Sequence, residues 1–335
     1  MTAADALLLL LGAALTAYAL FGGADFGGGF WDLFAGRTDP GAPRRSLIEH
    51  TIGPIWEANH VWLIYAVVLL WSGFPSVFAS IASTAYIPLT AAALGIIGRG
   101  AGFAFRKVSV GTPTRRLFGA GFALSSVATP FFLGTVAGGI ASSRITEGIA
   151  AGDLVRSWWN PTSIVTGLLA VGVSAYLAAV FLTRDAQRHA PELLGWFRAR
   201  ALGAGAVVGA LAVVGLVVVR ADAPATFDGL TNGPGLALTA LSVLAGLASL
   251  ALLVGGRYRA VRITASLAVA AVIWAWGAAQ YPVLLYPDTT VADAAAAPAV
   301  IEALLMITGV GSVILGPSLW WLFHLFQRAP EPDRG

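Results

Sequence analysis

At 335 residues, 57% of them hydrophobic and 11% charged, the chain is too apolar for a water-soluble fold, where roughly a quarter of residues carry charge. A net charge of +3 and a pI near 9.5 do not point to nucleic acid, because the basic residues sit in short loops and form no run resembling a basic arm. With no cysteine, disulfide frameworks, zinc thiolate sites and iron–sulfur clusters are excluded.

The apolar residues gather into nine blocks, at about 5–28, 54–72, 76–98, 117–140, 162–182, 201–219, 235–254, 263–281 and 299–326. Each is long enough to cross a bilayer as a helix rising 1.5 Å per residue. An all-α polytopic membrane protein of about nine transmembrane helices is therefore expected. The first block lacks a basic n-region and runs on into Asp25 without a clear cleavage site, so it reads as a retained helix and not a signal peptide. Only Ser72-Gly73-Phe74-Pro75 separates the second and third blocks, which predicts an antiparallel hairpin. The loops are short, and neither a separate soluble domain nor an internal repeat is visible.

Orientation follows from arginine and lysine. With nine crossings, 17 of the 20 basic residues fall on one side, among them Arg37, Arg44, Arg106, Lys107, Arg184, Arg200, Arg259 and Arg334. Only Arg144, Arg156 and Arg220 fall on the other. The split predicts an N-terminus outside and a C-terminus in the cytoplasm.

Ionisable residues inside a membrane are costly and mark function by default. Asp25, Glu57 and Arg99 stand out. Each lies seven or eight residues from the nearest charge at the arginine-rich edge (Asp32, Glu49 and Arg106), so all three are expected roughly 10–12 Å inside that interface. Short links make the first three helices expected neighbours. A buried cluster follows, in which Arg99 neutralises one carboxylate through bidentate hydrogen bonds. The other carboxylate is then protonated, holds a cation with Asn59, or faces water. The glycines around Asp25 allow a second backbone close by. Pro54 removes a helix hydrogen bond one turn before Glu57. Trp56, Asn59, His60 and Trp62 surround Glu57 in sequence, and Glu57 and His60 share a helix face at i, i+3. The same three charges also read as a staple joining three helices, with no proton or ion moving. His60 reads first as a packing histidine, and most tryptophans as an interfacial belt. Four His and two Met give little support to haem ligation.

These residues carry a resemblance. Gly23-Ala24-Asp25-Phe26-Gly27, then Pro54-Ile55-Trp56-Glu57-Ala58-Asn59-His60-Val61-Trp62-Leu63, then Arg99-Gly100-Ala101-Gly102-Phe103-Ala104-Phe105-Arg106 resemble subunit II of cytochrome bd quinol oxidase. Trp159-Asn160-Pro161, Gln280-Tyr281-Pro282 and Leu315-Gly316-Pro317-Ser318-Leu319 are similar to that family too, so the likeness spans the whole chain. It implies one membrane domain built as a four-helix bundle over 1–142, a second over 155–281 and a peripheral helix over 298–326. It implies a bacterial cytoplasmic membrane and a partner, subunit I, that carries haem b, haem d and the quinol site. It implies no cofactor in this chain, a quinone elsewhere in the complex, and a place for small accessory subunits and membrane lipid. The positions of Asp25 and Glu57 then belong to a cytoplasmic proton-entry region or cation site, with Arg99 close by. One departure is Ala104, where many relatives carry Glu. The expected function is support of the haem subunit and proton entry for reduction of dioxygen to water. The rival readings are an ion- or proton-coupled secondary transporter and a purely structural assembly subunit.

Overall fold

The computed structural model describes the backbone of residues 1–36, 41–52, 56–108 and 112–327, with side chains at all of these except 52, 56–58, 107, 108, 112, 113, 115, 116, 319 and 322–327. Pro54, Ile55, Arg37 and the tail from Arg328 therefore lie outside the described residues, as do the side chains of Trp56, Glu57, Lys107, Arg115, Arg116 and His324.

The first crossing is α1 (Ala3–Ala17), a π-helical turn (Tyr18–Gly22) and α2 (Gly23–Phe34), one continuous span longer than the block 5–28. A capping box starts it: Thr2 Oγ1 accepts from the Asp5 amide at 3.2 Å, and the Asp5 carboxylate accepts from the Thr2 amide at 2.7 Å. After α3 (Ala42–Ile52) come α4 (Trp56–Gly73), α5 (Pro75–Thr84), α6 (Tyr86–Val108), α7 (Thr112–Ala141) and α8 (Pro161–His189). Asn160 caps α8, its Oδ1 accepting from the Ser163 amide at 2.9 Å, with Pro161 in the first helical position, where its missing N–H costs nothing. The Asn-Pro pair is thus a helix start. Then follow α9 (Leu194–Asp222), α10 (Pro224–Thr231), α11 (Gly233–Val254), α12 (Tyr258–Gln280), a short antiparallel pair β1 (Val283–Leu285) and β2 (Thr289–Thr290), α13 (Val291–Ala294) and α14 (Pro298–Gln327). Among the described residues eight helical spans are long and apolar enough to cross a membrane, or nine where the bent pair of α4 and α5 is counted as one broken span.

The expected hairpin of the second and third blocks is wrong. The chain bends by 117° between α4 and α5, and the third crossing begins at Tyr86, not near residue 76. Pro88 supplies the reason. It has no N–H to donate, so it fits the first turn of α6 and would break a helix running through 76–98. The short α5 instead serves the loop after α7, with Ser80 Oγ accepting from the Gly148 amide at 2.9 Å and Ser83 Oγ from the Ala150 amide at 2.8 Å.

Nor do the first three crossings form a trio packed side by side. Among the described residues α4 lies along α1, while α6 lies along α7. The α2 segment packs between α7 and α8, α8 runs beside α9, and α11 beside α12. Two apolar clusters result. One joins α2, α8, α9, α11 and α12 around Leu177, Leu182, Phe197 and Val261. The other joins α1, α4, α5 and α14 around Leu7, Leu69, Phe74 and Ile301.

Candidate functional site

The glycines of α2 decide what surrounds Asp25. A Cβ at Gly27 would run into the Ser174 carbonyl of α8, and one at Gly29 into the Ser126 side chain of α7. Their absence lets both helices close on α2, and one turn further on the buried Trp31 indole donates to the Ala175 carbonyl at 2.7 Å. Asp25 is left 4% exposed. It lies nine residues before the end of α2 at Phe34, about 13 Å by helix rise, in the half of the span nearer the arginine-rich end.

Asn59 meets it from the first turn of α4, donating through Nδ2 to Asp25 Oδ2 at 2.5 Å and, more loosely, to the Phe21 carbonyl at 3.4 Å. Phe21 belongs to the π-helical turn, the kind of local widening that recurs at functional sites. Arg99 of α6 enters from the other side and is 2% exposed. Its Nη2 donates to the Asp25 backbone carbonyl at 2.9 Å and its Nε to Ser126 Oγ at 3.2 Å. Its guanidinium carbon sits 5.0 Å from the Phe26 ring and 5.1 Å from the Phe122 ring, cation–π contacts that replace part of its lost hydration.

The expected bidentate pair between Arg99 and a carboxylate is thus not present among the described residues. The guanidinium meets the Asp25 main-chain carbonyl, while the carboxylate accepts from Asn59. Side chains at Trp56 and Glu57 are not described, so of the expected cation site Asp25, Glu57 and Asn59, two members are seen together. His60 packs edge-on against Tyr18 and Phe26, with ring centroids 6.3 and 6.2 Å away. Trp62 lies partly exposed further along α4, and Ala104 is exposed on α6.

Three participants escaped the sequence reading. Tyr18 stands beside His60 and Phe26, and its buried hydroxyl has no partner among the described residues. Ser126 joins Arg99 to α7. Arg106, read in the sequence as an edge charge and motif residue with no partner assigned, pairs with Asp32 at 2.7 Å and with Glu49 of α3 at 2.9 Å. A signal for the last existed. Asp25 and Asp32 are seven apart on α2, Arg99 and Arg106 seven apart on α6, so each helix offers two groups on one face at matched heights. The outer rung, Asp32–Arg106, closes as an ion pair, and the inner one closes through the Asp25 carbonyl. Elsewhere Arg144 grips Asp222 through two bonds of 2.9 and 2.6 Å, tying the loop after α7 to the end of α9, and Arg262 reaches Asp185 at 2.6 Å, tying α12 to α8.

Fold and site together define a polytopic helical membrane protein with a polar cluster buried off-centre between its first crossings. Residues 4–326 match the family described as cytochrome bd terminal oxidase subunit II, and the chain belongs to that family. It is 27% identical over 184 residues to the cytochrome bd-I ubiquinol oxidase subunit 2 of Escherichia coli K12, a match covering 52% of this chain and 46%, about half, of that relative's length. It is 23% identical over 323 residues to a putative cytochrome bd menaquinol oxidase subunit II of Bacillus subtilis, covering 93% of this chain and 92% of that one. Among solved structures, the bd oxidase from Geobacillus thermodenitrificans has a chain of the same fold, with a TM-score of 0.82 at 24% identity over 98% of this chain and 100% of that chain.

Proposed function

We propose that this chain is the haem-free second subunit of a quinol-oxidising, dioxygen-reducing membrane oxidase, and that its Asp25–Asn59–Arg99 cluster shapes proton entry from the cytoplasmic side. Family membership supports the first half. The observation that carries the second is a buried carboxylate in the arginine-rich half of the bilayer, hydrogen bonded to Asn59 and backed by a second charged rung at Asp32–Arg106. Protons consumed in reducing dioxygen must cross an apolar layer, and protonatable side chains with bound water are the means available. In this reading Glu57, on the first turn of α4 close in sequence to Asn59, receives the proton. Asp25 and Asn59 hold water or a cation, and Arg99 sets the local potential. The partner is a larger subunit holding haem b, haem d and the quinol site, joined by small accessory subunits and lipid. Family membership, which implies haem in the complex, supports placing the haems in that partner. The N-terminus lies outside and the C-terminus in the cytoplasm, and the crossings divide into the two bundles and peripheral helix set out above.

One observation favours a second reading, a structural brace. The hydrogen bonds of Arg99 go to a main-chain carbonyl and a serine, as a staple's would. Purification of the tagged chain from its own membranes, a reduced-minus-oxidised spectrum and oxygen uptake separate these. Haem bands with a co-purifying larger subunit are expected, with Glu57→Gln slowing oxygen uptake at unchanged haem content. Unchanged turnover in that variant would sink the proton role and leave the brace. A colourless, partnerless preparation would favour a transporter.

A further inference from the structure

On the arginine-rich side two arginines meet at one indole. The guanidinium carbons of Arg44 on α3 and Arg200 on α9 lie 4.9 and 3.9 Å from the Trp196 ring centroid. Their described hydrogen bonds are long ones to backbone carbonyls, Arg44 Nη1 to Ala35 at 3.4 Å and Arg200 Nη1 to Trp196 at 3.5 Å. Neither has a carboxylate within 4.0 Å among the described residues, and Arg44 Nε is buried without a partner. Two like charges held this close repel, and an indole does not neutralise them.

An apolar groove of about 400 Å³ opens beside them, walled by Phe30 and Phe34 of α2, Gly172 and Ala175 of α8, and Gly203 and Val207 of α9, with Arg200 on its rim. Trp31, also in its wall, touches Trp196 edge-on at 6.3 Å, which ties the groove to the arginine pair. The groove runs inward from the rim, about 6 Å of helix rise from Phe34 to Phe30 and about 10 Å from Arg200 to Val207. Its depth is bounded by small residues on α8 and α9, where larger side chains would have filled it.

We propose that this groove is a specific site for an anionic phospholipid, with the phosphate bridging Arg44 and Arg200 and an acyl chain lying along the apolar wall. The charge argues for this occupant. A neutral quinone brings no anionic oxygen, a zwitterionic lipid brings its own cation beside the phosphate and so compensates the pair only in part, and a free anion leaves the groove uncovered. Arginine forks suit phosphate oxygens, and the leaflet on the arginine-rich side of a membrane protein is where anionic headgroups act on such residues. The site lies wholly within this chain and does not rest on the oxidase reading. A second basic patch on the same side, with Arg184, Arg257 and Arg259, serves as the comparison for unspecific attraction.

The test is native mass spectrometry of the assembled, detergent-purified protein, stripped of lipid and offered phosphatidylglycerol or phosphatidylcholine. Two guanidinium contacts predict roughly a tenfold or greater preference for phosphatidylglycerol. The double variant Arg44→Gln, Arg200→Gln should abolish the preference. Gly203→Phe should block retention with both arginines in place, since Gly203 lines the groove and nothing stands within 4 Å of a Cβ there, so the added side chain starts in open space. Arg259→Gln should change nothing. Equal retention of the two lipids, undiminished retention in Gly203→Phe, or a loss in Arg259→Gln matching the double variant's overturns the proposal. If the double variant fails to assemble, Gly203→Phe decides.

Discussion

One methyl group at Gly27 tests whether α2 is held by close backbone packing. In Gly27→Ala the new Cβ would overlap the Ser174 carbonyl and stand 2.7 Å from the Ala178 Cβ. The overlap with the Ser174 carbonyl oxygen, the tightest contact, decides the movement: α2 and α8 must part by about 1.5 Å to restore ordinary contact distances. The obstacle is main chain and cannot rotate away, which puts the cost at the upper end of the overpacking range, about 3 kcal/mol. The same movement stretches the Trp31–Ala175 bond, 2.7 Å and buried, whose loss adds about 1 kcal/mol. Together these should lower the apparent thermal midpoint of the purified protein by roughly 5–10 °C, read as the monodisperse fraction surviving heat. Gly209→Ala, with nothing within 4 Å of its Cβ, is the matched control and should stay within about 1 °C of the parent. Equal midpoints for the two variants would refute the packing argument.

Two further outcomes are expected. Asp25→Leu strands the buried Asn59 amide, at a cost of about 1–3 kcal/mol, whereas Asp25→Asn keeps an acceptor for it; yield of assembled protein should fall in the first and hold in the second, and equal yields would contradict the role given to Asn59. In the loop after α7 the Asp153 carboxylate accepts from the Arg156 amide at 2.7 Å and the Val155 amide at 2.9 Å, and these bonds hold its pKa below the ordinary value. A depressed pKa gives stability that is present above the unfolded-state value and is lost as pH falls through the folded one. Hydrogen-exchange protection of residues 153–160 should therefore fall on acidification through the carboxylate range, and Asp153→Asn should flatten that response.

How much was legible in advance differs from element to element. The apolar blocks marked the crossings because a bilayer demands contiguous apolar length, a property of each segment alone. The caps at Thr2 and Asn160 are equally local, although neither stood out in the sequence as a helix start. The break between α5 and α6 was written in Pro88 but masked by hydropathy, since residues 76–98 are apolar whether or not one helix threads them. At the site, Asp25, Asn59 and Arg99 were named from burial cost and spacing, and they do converge. Their pairing was misjudged, because charge complementarity along the sequence does not say which atoms meet: Arg99 donates to the Asp25 carbonyl and Ser126, and the carboxylate accepts from Asn59.

The chain alone therefore determined the class of fold, the approximate crossings, the asymmetry of basic charge and the family, since each depends on composition or pattern along a segment. Tertiary structure decided which helices are neighbours, that Arg99 grips the Asp25 main chain between two phenyl rings, that Arg106 closes a second rung, and that Arg44 and Arg200 share Trp196 at the mouth of a groove. These depend on how glycine-lined faces of α2, α7, α8 and α9 close on one another, and contact between faces distant in sequence is set by three-dimensional packing, which no single segment encodes.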